Sequence, residues 1–359
     1  MSSPKKPLLP ASQTLTASLR AITDDDTNRR VVRASPTRLR SLRPSSTYNE
    51  YQVIMLNERY ALYNVRLNRM LSARSAHVEL DPTPFVPDQR AQALRPLTNQ
   101  LFAKNAHLFD SKKVRLKSDL TLESLQLNKP VRVQPTNYEL SLCTNEMASQ
   151  EIWSLRTGQR AFDGVSLMAH DGVLYDFSDS PCSNHIGVST LAITLDACVV
   201  VPLQPEQSAY NGNLLVPSGS GSADWTDFMQ TGKTLQQLLT LAAERELIEE
   251  CGLHGVSDLQ MATRIIGFAR LVNRGGKPEF FGVSFLSVLS SALQSSKVEL
   301  VPLGDLAGAL PKVTPTLARF RTGQQQRASL QLYLNIQFLE DHINTAPEAF
   351  LALRNQLFA

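Results

Sequence analysis

Three observations predict an α/β fold. Between Ile186 and Val288 the chain reads as strands, a glycine-containing loop, one long helix, then strands again. The strand stretches carry alternating or compact apolar runs, and the helix carries an apolar stripe at helical spacing. One helix set into a strand-built region, with a further helical pattern after it, predicts a mixed sheet with helices against its faces. An N-terminal accessory region of helices and then strands precedes this unit.

With 359 residues the chain has room for two domains, or for one large domain with extensions. A composition of 42% hydrophobic and 19% charged residues describes an ordinary soluble globular protein. The net charge of +3 is too small to argue for nucleic acid or a membrane as partner. No apolar run approaches the ~18 residues of a membrane span, and the first residues lack the apolar core of a secretory signal. An organellar transit peptide is disfavoured by the Asp24–Asp26 cluster. Cys143, Cys182, Cys198 and Cys251 form no CxxC pair, which argues against a zinc site or a disulfide framework and makes a reducing, cytoplasmic setting the default.

Residues 1–47 are rich in Ser, Thr, Pro and Arg and poor in large apolar side chains, so a disordered basic tail is expected there. From Tyr48 to Ala73 the apolar residues Tyr51, Ile54, Met55, Tyr60, Leu67, Met70 and Leu71 recur roughly at helical spacing, which predicts a helix. A second helix is expected over Asp88 to Phe109, interrupted at Pro96. Strand signals follow at Val131–Val133 and Tyr138–Leu142, and Ser166 to Phe177 reads as a hairpin folded at Asp171-Gly172. Thr144-Asn145-Glu146 interrupts the apolar pattern and is read as a turn in preference to a polar contact. Ile186 to Pro202, broken at Leu195-Asp196-Ala197, reads as a second hairpin. His185, just before it, is read as a structural or exposed histidine rather than a catalytic one.

Asn211-Gly212-Asn213 is a turn signal. It is followed by Leu214-Leu215-Val216 and by Pro217-Ser218-Gly219-Ser220-Gly221, whose glycines free the backbone to approach something closely. A helix starts at Thr234, where Thr234 and Gln237 match a capping box; Leu235, Leu238, Leu239, Ala242 and Leu247 make its apolar stripe. Thr263–Val272 and Phe280–Val288, joined by Asn273–Lys277, read as a third hairpin. Leu317 to His342 is helical in pattern, and Pro347 separates it from a last short helix. The expected division is therefore 1–47 tail, 48–180 accessory region, 181–345 principal domain and 346–359 terminal helix.

The long helix ends in Arg245-Glu246-Leu247-Ile248-Glu249-Glu250-Cys251-Gly252-Leu253. Glu246, Glu249 and Glu250 stand at i, i+3 and i+4, on one helix face. Like charges that close repel, and a hard divalent cation such as Mg²⁺ is the natural neutraliser. Gly252 supplies the left-handed residue that closes a helix. A solvated acidic face with a C-cap is the plain alternative.

This stretch resembles the core of the Nudix box, Arg-Glu-aliphatic-x-Glu-Glu-x-Gly-aliphatic, and meets every specified position. Chance would produce it in fewer than about one chain in ten thousand. The full box also carries a Glu eight residues before the Arg and a Gly six residues before that Glu; here those positions hold Gln237 and Thr231, with Gly232 one place later. The resemblance implies a mixed sheet sandwiched between helices and hydrolysis of a nucleoside diphosphate linked to another moiety. It implies Glu246, Glu249 and Glu250 as ligands of Mg²⁺ or Mn²⁺, and Arg245 as the residue that orients a glutamate by a bidentate contact. Glu249, Glu246 and Arg245 are the implied catalytic set, with one carboxylate, or another on a nearby loop, taking a proton from the attacking water. The Ser218, Gly219, Ser220, Gly221 loop is implied to line the site beneath the phosphates.

Further candidates come from the hairpin that follows. Glu279 and Glu299 could add an acid, although a surface glutamate is the simpler reading of each. Arg270, Arg274 and Lys277 could meet phosphate or belong to a solvated turn. Phe280 and Phe281 alternate faces, so at most one could stack on a base. The expected partner is a nucleotide-like small molecule. The competing expectation, prompted by Gln237 and the long N-terminal region, is a Nudix-fold module that binds a nucleotide-like ligand without turnover.

Overall fold

A computed structural model describes residues 19–20, 22–23, 25–45, 50–206, 211–231, 233–293, 297–304, 306 and 310–358. Its centre is an eight-stranded sheet built from β1 (Gln52–Leu56), β2 (Arg59–Tyr63), β3 (Gly187–Ile193), β4 (Cys198–Pro202), β5 (Gly219–Ser222), β6 (Met261–Leu271), β7 (Lys277–Leu286) and β8 (Val298–Pro302). The order is β8-β4-β3-β7-β6-β2-β1, and β5 pairs the first half of β3 on the side where β4 pairs its end. β3 and β7 run parallel, Gly187 opposite Glu279; the other pairings are antiparallel. The sheet is therefore mixed, as expected.

Alternation along β7 assigns its two faces. Phe280 packs with Val188, Phe268, Leu238, Leu239 and Ala242, which puts helix α2 (Leu235–Glu250) on that face. Phe281 packs with Leu191, Leu332 and Leu339, which puts helix α4 (Leu330–Thr345) on the other, together with α3 (Leu310–Gly323) and α5 (Pro347–Asn355). Both rings are fully buried, so neither is open to a base. Fully burying such a ring is worth roughly 1.5–3 kcal/mol. The pair thus clamps the sheet between its helix layers.

Several expectations are corrected. The stretch from Tyr48 to Ala73 is not one helix. After β1, Asn57 and Glu58 both take left-handed backbone (φ 49° and 61°), turn the chain into β2, and only α1 (Val65–Ala73) is helical. The apolar residues of a strand pair happened to recur near helical spacing. β2 pairs with β6, so residues on both sides of position 180 build one sheet. The helical pattern from Leu317 to His342 is two helices: α3 begins at Leu310, and α4 begins at Leu330 behind Ser329, whose side chain accepts from Leu332 N–H.

The tail expectation also changes. Its first part, residues 1–18, lies outside the described residues. Arg29–Arg33, however, is a strand paired antiparallel with Gln150–Ser154, which in turn pairs with Arg160–Asp163. Ala34, Leu39 and Leu42 are buried in a cluster with Ile152, Met147 and Leu62. A second three-stranded sheet, Val78–Leu80, Lys112–Leu116 and Val131–Asn137, meets the main sheet through Lys112–Leu116: Ile186 N–H donates to Val114 O, and Val114 N–H to Ala223 O. Among the described residues no helix is long and apolar enough to cross a membrane.

Candidate functional site

Helix α2 starts and stops as its sequence requires. Thr234 Oγ1 accepts from Gln237 N–H at 3.3 Å and donates to Gln237 Oε1 at 3.1 Å, so Gln237 serves the helix start. Gln237 is exposed there and lies roughly 13 Å along the axis from Glu246. Gly232 lies outside the described residues. At the other end Gly252 is left-handed at φ 66°, as the terminating glycine should be.

The glycine loop proves to be strand β5, lying directly on the acidic end of α2. A Cβ at Gly219 would stand 2.8 Å from the Leu247 backbone, and one at Gly221 would stand 2.0 Å from the Glu246 carboxylate carbon. That proximity lets Ser222 N–H donate to Glu246 Oε1 at 3.1 Å. Ser218 has a different job from the one expected. Its hydroxyl accepts from Ala192 N–H at 2.7 Å and donates to Val200 O, tying β3 to β4. Ser218 and Gly219 are absent from the lining of the cavity described below, whereas Ser220, Gly221 and Ser222 belong to it.

Arg245 is the hub. Its bidentate contact is with Asp227, Nε to Oδ1 at 3.1 Å and Nη2 to Oδ2 at 3.0 Å, rather than with a glutamate. Nη2 also donates to Ser222 O at 2.8 Å. Nη1 reaches Glu246 at 3.0 Å and Glu249 at 3.4 Å, so the arginine bridges the two acids. Burial works against its charge, but the Asp227 hydrogen bonds and the charges of Glu246, Asp224 and Asp227 outweigh this and strengthen its hold on the proton. Asp227, buried in the helix Trp225–Thr231, had no signal in the sequence, because nothing in its spacing links it to Arg245.

Glu246, Glu249 and Glu250 open onto a cavity of about 490 Å³. Burial pushes the Glu246 carboxyl up, opposed by Arg245. Burial, then the charges of Glu246 and Glu249, pushes Glu250 up to about 7. Arg245 does not relieve Glu250. Three cations line the same cavity, each paired with a carboxylate. Lys277, 1% exposed, pairs with Glu279 at 2.9 Å, and Glu279 Oε1 accepts from Ser189 Oγ at 2.8 Å. Lys113 pairs with Asp224, and Arg274 holds Glu146 at 2.7 Å. Glu146 falls in a buried π-helical turn, Leu142–Glu146, so the Thr144–Glu146 break is a polar contact as well as a turn.

These placements sort the remaining candidates. Glu279 is a buried cavity residue; Glu299 pairs with Arg327 on the surface. Arg270 is buried under Phe177 and donates to Tyr175 O at 2.7 Å, a packing role. His185 is the strongest surprise. It is 2% exposed, lines the cavity, and its Nδ1 is buried with no hydrogen-bond partner among the described residues. Burial first, then Lys277, Arg274 and Lys113, drives its pKa well below the ordinary value, so the ring is neutral. A buried orphan acceptor or donor is costly unless something in the cavity meets it.

The donor chemistry suits a hard divalent cation, since all three helix acids are carboxylates and Glu250 is raised by the charges of Glu246 and Glu249 as well as by burial. Among the described residues no three His, Cys, Asp or Glu side chains are already gathered to hold a metal ion. Glu246 is engaged by Arg245 and Ser222 N–H instead. Comparison with protein-family models and with curated proteins finds no match for this chain.

Proposed function

We propose that this protein is a Nudix-type pyrophosphohydrolase dependent on Mg²⁺ or Mn²⁺, cleaving the diphosphate of a nucleoside diphosphate linked to another moiety. One observation carries the reading: the Glu246, Glu249, Glu250 triad faces the same cavity as the buried cations Lys113 and Lys277. Glu246, Glu249 and Glu250 would hold the metal. When bound, the ion offsets charge between these carboxylates and the diphosphate and polarises phosphorus. Lys113, Lys277 and Arg274 supply positive potential for the phosphate oxygens. Arg245, anchored by Asp227, positions Glu246 and Glu249. Glu249, whose side chain is 48% exposed against 12% for Glu246, is open to an attacking water and its proton. The packing of α2 and α4 on opposite faces of a mixed sheet supports the Nudix-like architecture.

The second reading, a module that binds a nucleotide-like ligand without turnover, draws on the fact that Arg245 and Ser222 N–H already engage Glu246. A panel of nucleoside diphosphate compounds assayed with Mg²⁺ and with chelator separates the two. Metal-dependent release of phosphorylated product, falling about 100-fold or more in Glu249→Gln, is expected. Turnover that is unchanged in this variant would sink the metal-ligand assignment, and binding without turnover would favour the second reading.

A further inference from the structure

Beside the acidic cavity lies another of about 520 Å³, and the two share Asn211, Arg274 and Gln331. Three guanidiniums from distant parts of the chain line it: Arg33 at the end of the strand Arg29–Arg33, Arg59 at the start of β2, and Arg274 in the turn between β6 and β7. Arg59 Nη1 donates to the neutral Asn211 Oδ1, and neither Arg33 nor Arg59 pairs with a carboxylate among the described residues. Burial lowers the Arg59 pKa, and the charges of Arg33 and Arg274 lower it further. Folding has therefore brought Arg33 and Arg59, neither paired with a carboxylate among the described residues, to one cavity with Arg274. Glu146 is committed to Arg274 at 2.7 Å. Glu58 and Glu206 also line the cavity; like Arg33 both are exposed, and neither is paired with an arginine there.

Guanidinium groups match phosphate in charge and in planar, two-point geometry. We propose that this cavity is a phosphate-binding subsite formed by Arg33, Arg59 and Arg274, holding a second phosphate, a phosphomonoester on the substrate's far part. The inference rests on the hydrolase reading for the identity of the substrate, and it narrows that substrate to a diphosphate-linked nucleotide carrying an additional phosphate. The shared residues Asn211, Arg274 and Gln331 place the two cavities next to one another.

Two pairs of probes differ by one phosphomonoester: NADP⁺ against NAD⁺, and coenzyme A against its 3′-dephospho form. With Mg²⁺ present, the ratio of kcat/KM in at least one pair should favour the phosphorylated member by about tenfold. Arg33→Gln and Arg59→Gln should each collapse that ratio, and Arg59→Lys should restore part of it. Thermal unfolding of each variant checks that the fold is kept. A native ratio near one in both pairs, or a ratio unchanged in the variants, overturns the subsite.

Equilibrium binding of the same four compounds in EDTA reads the subsite without turnover. Tighter binding of a phosphorylated member, lost in Arg59→Gln, supports the subsite even where no compound is hydrolysed, and only the hydrolase reading then fails. Turnover without phosphate preference sinks the subsite alone. Inorganic phosphate separates the sources. Competition confined to the phosphorylated members supports a substrate-borne phosphate; modulation of NAD⁺ turnover that is lost in Arg59→Gln assigns the site to a free anion and overturns the substrate assignment.

Discussion

Gly221 illustrates how much of this site depends on backbone approach. A methyl group there would overlap the Glu246 carboxylate, 2.0 Å from its Cδ. Gly221→Ala must therefore displace Glu246 from Ser222 N–H and Arg245. We expect the proposed activity to fall about 100-fold, because an ångström of misplacement at a reacting centre has effects of that order. Kinetics with thermal unfolding would check it, and near-native kcat in the variant would refute the close-approach account. The carboxylates were legible in the sequence because i, i+3, i+4 spacing on a helix fixes their common face. Asp227 and Lys113 were not, since each reaches the site through tertiary contacts that no local spacing encodes; Lys277 and Glu279 were candidates, but their burial as a pair was not foreseen. Ser218 was misassigned for a related reason: a loop of Ser and Gly carries no mark distinguishing a ligand contact from a bond between β3 and β4.

Helix α4 gives the second lesson, because it covers the sheet face opposite the site. His342 on this helix is 4% exposed, and its Nε2 has no hydrogen-bond partner among the described residues. Burial, helped by Arg264 and opposed by Asp341, pushes its pKa down to about 4. The unfolded chain takes up this proton near pH 6.5 and the native chain does not until about pH 4. Stability from this group is therefore full above pH 6.5 and falls as the pH drops towards 4, by up to about 3 kcal/mol. His185 acts in the same direction. Urea unfolding across pH 4–7 should show His342→Gln with a shallower loss of stability on acidification than the native protein; parallel curves would count against a neutral buried His342. The sequence predicted helix here but merged α3 with α4, since the break at Ser329 is a cap and not a proline.

At the level of the whole molecule, the N-terminal part is structural support for the site. Strand Arg29–Arg33 pairs with Gln150–Ser154, Arg38 pairs with Glu151 at 2.7 Å, and Leu39 and Leu42 are buried. Removing residues 1–44 should therefore destabilise the protein, by about 3–6 kcal/mol from Leu39 and Leu42 alone. It would also remove Arg33 from the arginine-lined cavity. A truncated protein with native unfolding behaviour would show that this packing contributes nothing. The Ser, Thr, Pro and Arg composition pointed instead to disorder, because a few apolar residues folded against a distant segment leave composition almost unchanged.

Local rules read from the chain alone were enough for the mixed α/β class, the hairpins at Asp171-Gly172 and Asn273–Lys277, the cap at Thr234, the left-handed Gly252 and the shared face of Glu246, Glu249 and Glu250. Each depends on interactions within a few residues, where periodicity and backbone preference are decisive. The partners of Arg245, the burial of His185 and Glu279, the use of strands from both sides of position 180 and the meeting of Arg33, Arg59 and Arg274 lay beyond such rules. These depend on which surfaces pack together, and packing joins residues from 18 positions apart, as Asp227 and Arg245, to more than two hundred, as Arg33 and Arg274, by shape and charge that no short window of sequence contains.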